Sequence, residues 1–193
     1  MKRNIYNELL KWKEEEKGRV AILIDGARRV GKSYIVKEFA KNEYKSFIFI
    51  DFNSAPKDIF ALFDNYLSNL DSLFMYLQNM TGVKLFERES LIVFDELQLC
   101  PRARAAIKYL VEDGRYDYIE TGSLVSINKN VKDIVIPSEE RRLQMYPMDF
   151  EEFAWALGDE MLIPFIRLCF DNQKPLHHKL HHLLKLLFHQ NRH

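Results

Sequence analysis

A glycine-bearing segment near the N-terminus has the residue types and spacing needed to hold a nucleoside triphosphate. The segment GARRVGKS, residues 26–33, fits the pattern G-x-x-x-x-G-K-[ST] in full. Gly26 and Gly31 let the backbone turn sharply, so that successive N–H groups point into one concavity and bind phosphate oxygens. We expect Lys32 to contact the β- and γ-phosphates, and Ser33 to offer its hydroxyl to Mg²⁺. The predicted nucleotide-binding residues of this segment, called the phosphate loop below, are Gly26, Ala27, Arg28, Arg29, Val30, Gly31, Lys32 and Ser33.

Two adjacent acidic residues form the second candidate group. The segment LIVFDE, residues 91–96, places four apolar residues directly before Asp95 and Glu96. Ligands of open α/β sheets bind at the carboxyl ends of the strands, where these acids would emerge. We expect Asp95 to hold Mg²⁺, directly or through water, opposite Ser33. We expect Glu96 to orient and deprotonate the water that attacks the γ-phosphate, which makes it the predicted catalytic residue.

Other polar residues are less specific candidates for contact with a nucleotide than the two groups above. Thr121 and Ser123 end a later apolar segment, where they could sense the γ-phosphate, although T-G-S is equally good turn chemistry. Four arginines could reach a nucleotide on a neighbouring subunit, but solvated surface charge explains them better. These are Arg102, Arg104, Arg141 and Arg142.

The elements that must position these residues alternate between strands and helices. Short apolar runs predict strands at 19–25, 46–52, 91–96 and 116–122, and a fifth strand within 131–146 formed by either DIVIP or RRLQMYP. Helical periodicity predicts helices at 4–16, after Ser33, twice within 53–89, and around 103–111. Ser54 and Asp71 are the predicted N-caps of the two helices within 53–89. This alternation predicts an α/β fold with a mainly parallel sheet flanked by helices.

Beyond Pro147 the pattern is helical only, which divides the chain into a nucleotide-binding domain at 1–147 and a helical segment at 148–193. Asp149 and Glu152 predict a capping box at the start of this segment. A last amphipathic helix with a histidine-rich polar face is predicted after Pro175, and all six histidines lie in the last seventeen residues. Pairs of these histidines at i,i+4 could bind a transition metal, although a histidine-rich solvated face is the simpler interpretation. They are His177, His178, His181, His182, His189 and His193.

Composition limits the classes of partner and compartment. The 193 residues carry a formal net charge of +0, which gives no reason to expect nucleic acid as a partner. The charged N-terminus cannot supply a signal peptide, and no apolar run reaches the length of a membrane span. Cys100 and Cys169 lie far apart and in no metal-binding spacing, so we expect reduced, packed thiols and a cytoplasmic protein.

Four segments together resemble the prokaryotic AAA-type ATP-binding proteins, whose P-loop domain often precedes a nuclease-like C-terminal domain. They are IDGARRVGKS, LIVFDELQLCPRARAAIKYL, YDYIETGSL and MYPMDFEEFAWALG, and the resemblance covers about residues 3–172. It implies ATP rather than GTP, the sheet order of the additional-strand catalytic Glu class, Glu96 as the hydrolytic base, and a polar sensor stretch at Thr121 and Ser123. Relatives continue through a helical lid and a further domain, so this chain resembles a truncated relative that ends near the start of the lid.

Two functions remain open at this point. The first is an ATPase with Mg²⁺, whose slow hydrolysis is coupled to conformational change in an unknown protein partner. The alternative is a nucleotide-dependent binding module without significant hydrolysis, which the incomplete lid favours. A small-metabolite kinase fits less well, because no arginine-lined lid is evident. A homo-oligomer is a further candidate assembly.

Overall fold

The computed structural model of the protein describes residues 2–123 and 140–175. The backbone forms two compact units. One unit contains Arg3–Pro147, and the other contains the chain from Met148 onward together with the first two residues.

The first unit is built on a five-stranded sheet in the order β2-β3-β4-β1-β5. Its strands are β1 (Ala21–Gly26), β2 (Ser46–Asp51), β3 (Ser90–Asp95), β4 (Asp117–Gly122) and β5 (Glu140–Met145). All four strand pairs are parallel. The predicted fold class is therefore confirmed, and β4 is the additional strand between the loop-bearing β1 and the acid-bearing β3. Of the two candidates for the fifth strand, RRLQMYP supplies β5, while DIVIP lies outside the described residues.

Helices connect the strands and cover both faces of the sheet. In the first unit they are α1 (Asn4–Glu16), α2 (Lys32–Glu43), α3 (Lys57–Asn65), α4 (Leu70–Thr81) and α5 (Pro101–Asp113). A 3₁₀ turn at Leu97–Leu99 joins β3 to α5. The second unit contains α6 (Phe150–Ala156) and α7 (Leu162–Asp171). The helix predicted after Pro175 lies outside the described residues.

Alternation along each strand explains the two layers of core. On β3, Leu91 and Val93 face one way and pack with the apolar residues of α1 and α2. Ile92 and Phe94 face the other way and pack with α3, α4 and α5. Because β1 is buried along its whole length, the phosphate loop leaves the sheet from its interior rather than from an edge.

Two predicted helix caps are wrong. The N-cap of α3 is Pro56, without a side-chain hydrogen bond, because the Ser54 hydroxyl donates instead to Asp51 Oδ2 at 2.8 Å. The N-cap of α4 is Asn69, whose side chain accepts the Ser72 N–H at 3.0 Å, so Asp71 lies within the first turn.

The capping box at the start of α6 is confirmed. The Asp149 carboxylate accepts the Glu152 N–H at 2.8 Å, and Glu152 accepts the Asp149 N–H in return at 3.2 Å. This reciprocal pairing satisfies two donors that the first turn of a helix otherwise leaves without partners.

Candidate nucleotide-binding site

The phosphate loop connects the carboxyl end of β1 to the N-terminus of α2. Gly26 has φ +153°, and a Cβ at this position would lie 2.1 Å from the Met145 carbonyl oxygen of the neighbouring strand. Gly31 has φ +98° and is the N-cap of α2. A side chain at Gly26 would therefore collide with β5, and both positions need the backbone freedom of glycine.

The loop borders an open cleft of about 350 Å³. The cleft is lined by Arg28, Arg29, Gly31, Lys32, Ser33, Tyr34 and Glu96. It therefore combines a helix N-terminus, three cationic side chains and one carboxylate, a combination suited to an anionic ligand.

Lys32 lies at the base of this cleft and is only 6% exposed. Its ammonium group donates to the carbonyl oxygens of Ala27 at 2.8 Å and Gly26 at 3.1 Å. Burial lowers the pKa of Lys32, while the nearby carboxylates of Glu96 and Asp95 act in the opposite direction. A bound anion would favour the charged form of this amine and so counteract the decrease in pKa that burial causes.

Ser33 and Asp95 come together across the sheet. The Ser33 hydroxyl donates to Asp95 Oδ1 at 2.9 Å, and the Thr121 hydroxyl donates to the same oxygen. Burial raises the pKa of Asp95, whereas the hydrogen bonds from Thr121 and Ser33 lower it. Two oxygen-bearing side chains, a hydroxyl and a carboxylate, are thus adjacent beside the cleft, and Mg²⁺ prefers such hard oxygen ligands.

Glu96 follows β3 directly and has a left-handed backbone with φ +55°. Its N–H donates to Thr121 Oγ1 at 3.4 Å, and its carboxylate accepts a hydrogen bond from the Gln98 amide. Thr121 therefore contacts both acidic residues of the site. Sequence reasoning did not single out Gln98, which is buried and lies two residues beyond Glu96.

The two candidate sensors are both buried at the end of β4, with Thr121 fully buried and Ser123 5% exposed. The hydroxyl of Thr121 contacts Asp95 and the backbone of Glu96. That a bound γ-phosphate is sensed by either residue stays a prediction.

Among the four arginines, the interpretation of Arg104 as solvated surface charge is wrong. Arg104 is 4% exposed, and its guanidinium pairs with the buried carboxylates of Glu120 on β4 and Glu140 on β5. The helical periodicity of α5 turns this side chain toward the sheet, where the two carboxylates compensate its charge.

The other three arginines are exposed or partly exposed and each has an acidic neighbour. Arg102 lies 3.4 Å from Asp64, and Arg141 lies 3.6 Å from Glu8. Arg142 pairs with the fully buried Asp25, which directly precedes the phosphate loop.

Sequence reasoning also missed Arg3. Its guanidinium donates to the carbonyl oxygen of Val30 in the phosphate loop at 2.9 Å and to that of Tyr146 after β5 at 2.7 Å. A single arginine before a helix has no spacing or motif that would have identified it.

Several further expectations concern residues or features elsewhere in the chain. Cys100 and Cys169 are free and buried. Within residues 2–123 and 140–175, no group of three or more His, Cys, Asp or Glu side chains could hold a metal ion. The histidines from His177 onward lie outside these ranges. None of the described helices is both long and apolar enough to cross a membrane.

The sequence also matches a known protein family over the residues that form this site. A family model described as "AAA domain" matches residues 18–154, which is more than half of the chain. The chain belongs to the AAA domain family. This membership confirms the predicted AAA-type P-loop ATPase family, and it supports nucleotide binding.

A similar solved structure is described as "Structure of C. elegans PCH-2". The TM-score is 0.46 and the sequence identity 15%, and the similarity covers 87% of this AAA chain and 48% of that one. The chain thus spans about half the length of that structure's chain. No curated protein matches the sequence.

Proposed function

We propose that the protein binds ATP with Mg²⁺ and hydrolyses it slowly, and that hydrolysis is coupled to conformational change in a protein partner. The observation that carries this proposal is the 2.9 Å hydrogen bond between the Ser33 hydroxyl and Asp95 Oδ1. It joins the phosphate loop to the acidic end of β3, beside the buried ammonium group of Lys32.

The phosphate loop and Lys32 would bind the triphosphate. The first residues of α2 line the cleft, and a helix N-terminus favours negative charge. Lys32 already lies at the base of the cleft, held by two loop carbonyls. Its side chain is therefore fixed in place before any ligand arrives, which reduces the entropy lost on binding.

Ser33 and Asp95 would hold the magnesium ion. When bound there, Mg²⁺ would supply positive charge that offsets the negative charge developing on the phosphate. Asp95 is kept in position by the Thr121 hydroxyl, which can remain on the carboxylate while the Ser33 hydroxyl turns to the ion. We assign Thr121 to orienting Asp95, in addition to its predicted place in the sensor stretch.

Glu96 would accept the proton of the attacking water. It lines the same cleft as Lys32 and Ser33, so a water beside a bound γ-phosphate would lie within its reach. A carboxylate in this position can orient the water and take up its proton as the water oxygen bonds to the γ-phosphorus, while the bond from that phosphorus to the bridging β-phosphate oxygen breaks and ADP leaves.

One observation favours the second candidate function, a nucleotide-dependent binding module without significant hydrolysis. The Gln98 amide donates to the Glu96 carboxylate and so occupies one of its oxygens. In this arrangement, Glu96 is less available as a base, and nucleotide would serve to order the fold rather than to be consumed.

Binding and turnover measured on the full chain separate the two functions. Calorimetry with Mg·ATP tests binding, and steady-state phosphate release of the wild type against Glu96→Gln tests hydrolysis. The proposed ATPase requires measurable release that the variant loses while still binding Mg·ATP. Equal release from both proteins, at the level of buffer alone, would leave only the binding module.

We also propose a nucleotide-binding domain at 1–147 followed by a helical segment at 148–193, a cytoplasmic location, and a homo-oligomer as a candidate assembly. The compact unit formed by Arg3–Pro147 supports the first of these. Size measurement by light scattering, with and without Mg·ATP, tests the assembly.

A further inference from the structure

Arg3 is a buried arginine bound directly to the phosphate loop. Only 4% of this residue is exposed, and its Nη1 donates to the Val30 carbonyl oxygen at 2.9 Å. A Cβ added at Gly31 would lie 3.6 Å from the same Nη1 atom. The guanidinium therefore packs against the loop at the point where α2 begins.

The second anchor of Arg3 is the chain that leaves β5. Its Nη2 donates to the Tyr146 carbonyl oxygen at 2.7 Å. Arginine presents its donors in a rigid planar fork, so one side chain fixes the distance between the two carbonyls of Val30 and Tyr146. A displacement of one carbonyl must move the other or break a buried charge-assisted hydrogen bond.

Both covalent connections between the two compact units lie beside this arginine. The chain passes from one unit to the other between Lys2 and Arg3, and again between Pro147 and Met148. Arg3 is itself the first residue after one connection, and Tyr146 directly precedes Pro147 at the other. On the far side of the first connection, Lys2 lies 4.7 Å from the centre of the Trp155 ring.

We propose that Arg3 transmits nucleotide-dependent changes of the phosphate loop to the helical unit that begins at Met148. Binding of phosphate draws the N–H groups of the loop toward the anion, and this reorients the peptide groups whose carbonyls face away from it. The Val30 carbonyl belongs to such a peptide, and Arg3 ties it to both chain connections. The inference rests on the proposed function, because it needs a nucleotide bound at the loop.

Hydrogen–deuterium exchange of the full chain tests this coupling without any added probe. Exchange is compared in wild type, Arg3→Met and Arg3→Lys, each without nucleotide and at saturating Mg·ADP, with saturation verified by calorimetry. The matched control is Arg19→Met. Arg19 also donates to two main-chain carbonyls, those of Glu16 at 3.0 Å and Glu15 at 2.9 Å, but at the exposed end of α1.

In the wild type and in Arg19→Met, we expect nucleotide to protect the phosphate loop and to change exchange within residues 150–171. In Arg3→Met, we expect about three- to tenfold weaker binding, from the lost charged hydrogen bonds. At saturation, its loop should be protected while the response of 150–171 is absent. Arg3→Lys keeps the charge but not the fork, so its response should be reduced.

Three results would overturn the proposal. The first is no response of 150–171 in the wild type despite a protected loop, and the second is the full response in Arg3→Met. If Arg3→Met does not fold, a full response in Arg3→Lys is the third. If nucleotide protects the loop in none of these proteins, so that the wild type also shows no protection, the proposed function itself would be overturned.

Discussion

The hydroxyl of Ser33, at the start of α2, donates a 2.9 Å hydrogen bond to Asp95, at the end of β3. This contact forms although β1, which leads into the phosphate loop, is not a neighbour of β3 in the sheet. β4 lies between β1 and β3, and Thr121 at its end donates to the same Asp95 oxygen. The additional strand therefore supplies a second hydroxyl to the carboxylate oxygen that Ser33 contacts from the loop side.

Lys32→Ala should weaken Mg·ATP binding by at least about 2 kcal/mol, the scale of a charge-assisted contact to phosphate. The lysine is buried against the loop, so its truncation removes a positive charge from the base of the cleft. Calorimetry measures the change, with Lys41→Ala on the exposed face of the same helix as the matched control. Equal affinities of wild type and Lys32→Ala would remove the assignment of the phosphate loop.

Ser33→Ala should weaken ATP binding in the presence of Mg²⁺ by about tenfold, with little change in EDTA. The reason is that the hydroxyl would contact the ion rather than the phosphates. Titration of ATP with and without Mg²⁺ checks this difference, and the exposed Ser68→Ala is its control. A loss of the same size in EDTA would mean that Ser33 acts on the loop itself and not through the ion.

Glu96→Gln should lower phosphate release by at least about a hundredfold, the contribution typical of a positioned general base, and leave Mg·ATP affinity unchanged. Wild-type turnover should itself stay below a few events per second. Groups that stabilise transition-state charge from a lid or a neighbouring subunit contribute about 10³–10⁵ in rate, and none of the residues assigned to the site is such a group. Glu112→Gln, on the exposed side of α5, is the control.

Gln98→Ala tests whether the amide restrains this glutamate. If the hydrogen bond from Gln98 keeps Glu96 from water, its removal should raise phosphate release severalfold. A fall in release would instead show that Gln98 holds Glu96 in its working orientation.

Glu120→Gln should stabilise the fold at neutral pH by on the order of 1 kcal/mol, because the neutral amide keeps the shape of the side chain and replaces a carboxyl whose ionised form burial disfavours, while Glu140 still pairs with Arg104. Burial raises the pKa of Glu120 well above its ordinary 4.5, and Glu140 adds to the rise while Arg104 opposes it. A raised folded-state pKa means that the contribution of Glu120 to stability is fully present below its unfolded pKa and is lost as pH rises through the folded pKa.

Urea unfolding at pH 5 and pH 8 measures this effect. The stabilisation by Glu120→Gln relative to wild type should be larger at pH 8 than at pH 5, and the exposed Glu112→Gln should show no such difference. A variant less stable than wild type at pH 8 would mean that the carboxylate is ionised and fully compensated by Arg104.

Removal of residues 173–193 should leave Mg·ATP affinity unchanged. Every residue assigned to the site lies between positions 26 and 123, and the unit that contains them ends at Pro147. Calorimetry on the truncated chain tests this, with circular dichroism to establish that it is folded. Lost binding in a folded truncation would make the C-terminal histidines candidates for a functional role.

Local patterns were sufficient to predict the sheet and the loop, because buried parallel strands read as apolar runs and the loop has a fixed spacing of glycines and lysine. They failed where several residue types can do the same task. Ser54 and Asp71 are good capping residues, yet the Ser54 hydroxyl donates to Asp51 instead, and Asn69 caps α4 in place of Asp71. The backbone geometry of the turn decides which side chain forms the cap, and no single residue type specifies that geometry.

Contacts between distant segments were beyond sequence reasoning. Arg104 looked like surface charge because its partners, Glu120 and Glu140, lie on strands that only the folded sheet brings to it. Arg3 lies 143 positions from Tyr146, and nothing in its neighbourhood marks it as a ligand of the phosphate loop. Such pairings depend on topology, so they can be read only from the structure.

The central place of β1 has a consequence for the order of folding. Both of its hydrogen-bonded neighbours come late in the chain, since Ile22 pairs with Ile119 and Ala21 pairs with Glu140, about a hundred residues further along. During synthesis, β1 emerges first but has no strand to pair with until β4 and β5 have left the ribosome, whereas β2 and β3 can pair earlier. The nucleotide site begins near the start of the sequence, yet the strands that pair with β1 are synthesised about a hundred residues later, so this apolar strand is without its sheet partners until then.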